Sequence, residues 1–136
     1  FSCTAVPWEE RGEALQGMGS GLVVNVTPLG MYGATCGESA MPEEAWPDIR
    51  SRGQEGGPKA DSFGHVAYDV VYNPRETVFL RQARDRGWQT IDGLRFFVSQ
   101  GISQFRLWTG QGLPFAEAMR VVEEALEHRR VQAELR

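Results

Sequence analysis

The sequence is poor in lysine, cysteine and histidine. Its one lysine is Lys59, its cysteines are Cys3 and Cys36, and its histidines are His65 and His128. These few residues lack metal-ligand spacing, which argues against a zinc site. Two reduced thiols in a cytoplasmic protein fit better than a disulfide. Lys59 lies in a Gly/Pro-rich stretch and reads as a solvated loop residue rather than a catalytic one. Basic charge is also in deficit. The net charge of −4 is the wrong sign for a nucleic-acid footprint, which wants a basic stripe. No apolar run approaches the ~20 residues that cross a bilayer. The start, Phe1-Ser2-Cys3-Thr4, has neither the charged nor the apolar region of a signal peptide. There is no P-loop and no nucleophile elbow. Gly17-Met18-Gly19-Ser20-Gly21 is glycine-rich but precedes a strand, the wrong context for a dinucleotide fingerprint.

What is present is a globular composition. With 136 residues, 41% of them hydrophobic, the chain is the size of one ordinary domain. It begins with Phe1 rather than Met, and the expectation is a piece of a longer or processed polypeptide.

The pattern along the chain predicts alternating strands and helices. Phe1 to Val6 reads as the end of a strand, closed by Pro7. Trp8 opens a short helix with acidic residues in its first turn, ended by the glycines after Gln16. Leu22 to Val26 is an apolar run broken only by Asn25, as in a strand buried on both faces. Residues 32–64 show little periodicity and read as a long surface excursion, with a helical turn or two between Pro42 and Ile49 and a mobile stretch from Ser51 to Ser62. Val66 to Tyr72 is the strongest strand signal. Asn73-Pro74, with Glu76 behind it, predicts a capped helix start running to about Arg86. Trp88 to Ile91 is a short strand, Gly93 starts a helix to about Trp108, and Pro114 opens the last helix. In that helix Met119, Val122, Ala125 and Leu126 make an apolar stripe, and Arg120 can pair with Glu124. Alternating strands and helices imply an α/β fold with a mostly parallel sheet. The turns after Val26, Tyr72 and Ile91 then lie on one sheet edge, where ligands of such folds bind.

Several residues at that edge have two readings. Thr27-Pro28-Leu29-Gly30-Met31 is either an ordinary turn or a cradle in which Gly30 admits a flat ring. Asp69 in an apolar strand must be paired, and it reads best as a buried carboxylate anchoring a neighbouring turn. Tyr72 ends its strand, so its hydroxyl can serve a ligand or the core. In the helix after Gly93, Leu94, Val98, Gly101, Phe105 and Trp108 form an apolar stripe. Phe96, Gln100 and Gln104 line a second stripe, in which a glutamine amide would suit a polyhydroxylated small molecule or merely face solvent.

Taken together, Asn25-Val26-Thr27-Pro28-Leu29-Gly30-Met31, Tyr68-Asp69-Val70-Val71-Tyr72-Asn73-Pro74, Thr77, Phe79-Leu80, Asp92-Gly93-Leu94, Gln100, Phe105 and Trp108-Thr109-Gly110 resemble the C-terminal half of the shikimate dehydrogenase family. The resemblance implies a partial Rossmann-like three-layer fold followed by C-terminal helices. It implies NADP as cofactor and hydride transfer between 3-dehydroshikimate and shikimate. It places Asn25, Thr27, Pro28 and Leu29 in the wall of the cofactor cleft, Val70 and Gly93 against the nicotinamide, and Tyr72 and Gln100 on shikimate. The family's glycine-rich phosphate loop, the basic residues that read the 2′-phosphate, and the substrate domain with its catalytic Lys and Asp would precede Phe1. The chain alone is therefore expected to be inactive, and its last helices are expected to expose apolar surface and favour self-association. Phe96 stands where the family usually has Met. A quinate or aminoshikimate dehydrogenase is the alternative within the class, and a non-catalytic module that kept the fold is the alternative outside it.

Overall fold

The computed structural model describes residues 3–18, 20–50 and 64–134. The chain divides into two compact units, Phe1–Asp92 and Gly93–Arg136. The first holds α1 (Arg11–Gln16), β1 (Leu22–Asn25), β2 (Val66–Asp69), α2 (Val78–Asp85) and β3 (Gln89–Ile91), with 3₁₀ turns at Trp8–Glu10 and Glu43–Ala45. The second holds α3 (Leu94–Thr109) and α4 (Phe115–Glu134).

The sheet is parallel throughout, in the order β1-β2-β3, as the alternation of elements predicts. Its register aligns the strand ends. Leu22 pairs with Val66 and Asn25 with Asp69, so β1 and β2 end level with each other. Side chains alternate between faces along each strand. Val23, Asn25, Ala67 and Asp69 therefore share the face on which α2 packs. The apolar cluster under that face is built from Ala67, from Phe79, Leu80 and Ala83 of α2, and from Trp88.

Four expectations are corrected. Residues 3–6 form no strand; they are exposed, and the described sheet ends at β1. The run from Leu22 to Val26 is not buried on both faces: β1 is an edge strand, and Leu22, Val24 and Val26 are exposed. The stretch after Tyr32 is not all a surface excursion. Met41, Ala45 and Trp46 are buried in the core, and residues 46–49 are stitched to α2 and its C-terminal turn. Ile49 N–H donates to the Arg86 carbonyl at 3.0 Å, and Trp88 Nε1 donates to the Pro47 carbonyl at 3.0 Å. The expected mobile stretch, Ser51 to Ser62, lies outside the described residues. The fourth correction concerns α2. It starts at Val78 with Thr77 as its cap, not at Pro74. The Thr77 hydroxyl accepts from Leu80 N–H at 3.3 Å, and the same hydroxyl is tied to Asp69. A buried tertiary bond thus fixes where the helix begins, overriding the Asn-Pro signal.

In the second unit α3 starts at Gly93 and ends at Gly110, which takes the left-handed conformation (φ 71°) and donates to the Arg106 carbonyl at 2.9 Å. This is the ordinary glycine stop of a helix. Helices α3 and α4 pack on each other, and the Arg95 guanidinium lies over the Phe115 ring at 5.0 Å. Arg120 pairs with Glu124 at 2.8 Å, as its spacing predicts. The expected apolar stripe of α3 is only half realised. Leu94 and Val98 are buried, but Phe105 is exposed and Trp108 is 77% exposed. Among the described residues, no helix is long and apolar enough to cross a membrane.

Candidate functional site

The ends of β1 and β2 are joined by a buried polar network. Asn25, Asp69 and Thr77 are at most 2% exposed, and every polar side-chain atom among them has a partner. Asn25 Nδ2 donates to Asp69 Oδ1 at 3.0 Å and to the Leu29 carbonyl at 3.2 Å. Its Oδ1 accepts from the Thr27 N–H at 2.9 Å and the Thr27 hydroxyl at 2.7 Å. Val71 N–H donates to Asp69 Oδ1 at 2.9 Å, and the Thr77 hydroxyl donates to Asp69 Oδ2 at 2.6 Å. Buried polar groups persist when they are satisfied in this way. Asp69 therefore anchors a neighbouring turn, as its position in an apolar strand predicts. Burial pushes the Asp69 carboxyl above the ordinary carboxylate range, against the opposing pull of the bonds from Thr77, Val71 and Asn25.

The Thr27–Gly30 turn is thus held from beneath. Thr27 is half-buried, Pro28 is exposed, and Leu29 is half-buried against the core. Of the two readings of Gly30, the structure agrees with the turn. Gly30 is buried, not open to a ring, and its φ of 90° lies in the left-handed region. A Cβ there would meet Thr77 Cβ at 3.1 Å. Gly30→Ala is expected to destabilise the protein by about 1–3 kcal/mol, from backbone strain plus the crowding of Thr77. A thermal melt within a degree of wild type would contradict that reading.

Of the other residues expected at the site, Val70 and Tyr72 belong to the first unit, and Gly93 and Gln100 to the second. Val70 and Tyr72 are half-buried in the segment leaving β2, and Val70 N–H donates to the Asn25 carbonyl at 3.0 Å. Tyr32 N–H donates to the Asn73 carbonyl at 2.8 Å, a second tie between the two turns. Arg75 forms an ion pair with Asp92 at 2.8 Å, linking the β2 turn to the end of β3. Gly93 is buried at the start of α3 with ordinary right-handed backbone angles, and its carbonyl accepts from Phe97 N–H at 2.9 Å. Gln100 and Phe96 are exposed on α3. Sequence reasoning overlooked Thr77 as a member of the network. A threonine directly before the apolar run of α2 is a cap signal, but the stronger Asn73-Pro74 pattern masked it.

A family model, the C-terminal domain of shikimate 5′-dehydrogenase, matches residues 93–123. The chain is 39% identical over 126 residues to the shikimate dehydrogenase (NADP⁺) of Oleidesulfovibrio alaskensis, covering 93% of this chain and 39% of that protein. The chain belongs to the shikimate dehydrogenase family. Among solved structures it is similar to shikimate 5-dehydrogenase of Thermus thermophilus in complex with NADP(H) and shikimate, at 30% identity and a TM-score of 0.60. That match covers 88% of this chain and 37% of the other. It is likewise similar to quinate dehydrogenase of Corynebacterium glutamicum in complex with NAD, at 28% identity and a TM-score of 0.65, covering 88% of this chain and 36% of the other. The chain thus spans about two fifths of the length of the shikimate dehydrogenases it matches.

Proposed function

We propose that the polypeptide containing this chain is an NADP-dependent shikimate dehydrogenase, and that residues 1–136 are the C-terminal part of its NADP-binding domain. One observation carries the reading. β1 and β2 end in register at Asn25 and Asp69, so Thr27-Pro28-Leu29 and Tyr72 leave the sheet from one edge, in a fold similar to an enzyme solved with NADP(H) and shikimate. The carboxyl edge of a parallel sheet is where such folds bind dinucleotides.

The residues fit a nicotinamide cofactor. Exposed Val26 and Pro28 offer apolar surface for a flat ring, beside a backbone that Asn25 holds still. When bound, the cofactor supplies the hydride acceptor or donor. The chain's own part is to hold and orient. In the first unit Asn25, Thr27, Pro28 and Leu29 would form the cofactor wall, with Val70 toward the nicotinamide and Tyr72 toward shikimate; in the second, Gly93 would serve the nicotinamide and Gln100 a hydroxyl or the carboxylate of shikimate. Overall, shikimate loses a hydride from its carbinol carbon and the hydroxyl proton, giving the ketone. The groups that move the proton are the Lys and Asp of the family's substrate domain, so this chain alone is expected to be inactive. Both cysteines are free and exposed, in keeping with a reducing compartment, and the reading places the protein in the cytoplasm.

The test is steady-state reduction of NADP⁺ and NAD⁺ by the full-length polypeptide with shikimate and with quinate. Shikimate with NADP⁺ should give the highest kcat/KM. Turnover of neither acid would sink the reading. Preference for quinate would favour the second reading, a quinate dehydrogenase, which rests on the similarity to the Corynebacterium enzyme.

Exposed Leu107 and Trp108 on α3 support self-association of the isolated chain. Sedimentation at high concentration should show species larger than a monomer, and a strictly monomeric folded chain would count against it.

A further inference from the structure

We propose that Asp69 is a positioning residue that couples the two ligand-bearing turns, so that binding at one turn alters affinity at the other. The identity of the two ligands rests on the functional reading above; the coupling itself rests on geometry.

One carboxylate serves both turns. Toward the β1 turn, Asp69 Oδ1 accepts from Asn25 Nδ2 at 3.0 Å, and Asn25 in turn holds Thr27 through its Oδ1 and Leu29 through its Nδ2. Toward the β2 turn, the same Oδ1 accepts from the Val71 N–H at 2.9 Å, the amide next to Tyr72. Oδ2 accepts from Thr77 at 2.6 Å, the cap of α2. Rotation of the carboxylate therefore disturbs both turns at once. Two further ties close the frame: Tyr32 N–H to the Asn73 carbonyl at 2.8 Å, and Gly30 seated against Thr77. Three donors converge on this carboxylate, which requires an acceptor-only side chain; an asparagine would turn an NH₂ toward one of them. The network is buried, where breaking one bond weakens its neighbours. A carboxylate that merely completed the core would need partners on only one turn.

The test uses the full-length polypeptide with Asp69→Asn, Thr77→Val and the conservative Thr77→Ser. The first readout needs no ligand. Amide hydrogen exchange at Thr27 and Leu29, as well as at Val71 and Leu80, should quicken about tenfold in Asp69→Asn and Thr77→Val, and Thr77→Ser should match wild type. The second readout is the dissociation constant of NADP⁺ with and without shikimate. In wild type shikimate should tighten NADP⁺ about fivefold, and in Asp69→Asn the ratio should fall to near unity, with KM for both ligands raised more than kcat is lowered. Exchange that quickens only at Val71 and Leu80, or a binding ratio that survives Asp69→Asn, would overturn the proposal. Should Asp69→Asn fail to fold, the Thr77 pair carries both readouts. A wild-type protein that binds neither ligand would defeat the functional reading instead, and the exchange measurement then decides the coupling alone.

Discussion

Asp69→Ala is expected to destabilise the protein by about 4 kcal/mol, because it strands three buried donors at once. The Asn25 amide, the Val71 N–H and the Thr77 hydroxyl all end on this carboxylate, and the residue is fully buried. Each donor left without an acceptor costs about 1–3 kcal/mol, and some of that is recovered by relaxation. For a domain whose total stability is about 5–15 kcal/mol, the loss is severe. Asp69→Asn keeps the shape and two acceptor bonds, so its cost should be well under half. Thermal midpoints of the three proteins check the order, and an Ala variant as stable as the Asn variant would contradict it.

The same group gives a pH signature. Its folded-state pKa is raised, with burial as the largest cause. A raised carboxyl pKa means that the folded protein binds this proton more tightly than the unfolded chain does. The resulting stabilisation is present below the unfolded carboxylate value and is lost as pH rises through the folded one. The stability of wild type relative to Asp69→Asn should therefore grow as pH falls through the carboxylate range. A difference that shrinks with acidification would mean that the hydrogen bonds outweigh burial.

Trp46→Ala is expected to cost a comparable 3–5 kcal/mol, roughly the loss for deleting a large buried aromatic. Trp46 is 1% exposed and meets Phe79 and Trp88 edge-to-face, at 5.1 and 5.0 Å between ring centroids. It docks residues 40–49 onto α2. Its loss should free that segment first, raising protease sensitivity there before the sheet melts. Trp46→Phe, which keeps an aromatic contact, should lose much less. Equal midpoints for Trp46→Ala and wild type would show that the segment is not part of the core.

The parallel sheet was legible because Leu22–Val26 and Val66–Tyr72 are apolar runs ending in turn residues, the pattern of parallel strands. The turn-anchoring role of Asp69 was legible for the same reason, since a lone acid in such a run needs partners. Trp46 was hidden. Its segment is broken by Pro42 and Pro47 and flanked by glycine-rich stretches, which erases periodicity, although Met41, Ala45 and Trp46 supply the core contacts. The start of α2 was misplaced because capping is decided at Thr77 by a tertiary bond to Asp69 that no local pattern encodes. The exposed apolar end of α3 was legible: an apolar helical stripe in a chain that spans only part of its fold seeks cover, and Leu107 and Trp108 are exposed, with nothing among the described residues covering them.

If the edge formed by β1 and β2 is the shikimate side of an NADP-linked dehydrogenase, Tyr72 is the sharpest point at which to test it. Steady-state kinetics of Tyr72→Phe in the full-length polypeptide should show KM for shikimate raised about tenfold, the loss of one substrate hydrogen bond, with KM for NADP⁺ unchanged. A folded Tyr72→Phe enzyme with an unaltered KM for shikimate would contradict the placement of substrate at this edge.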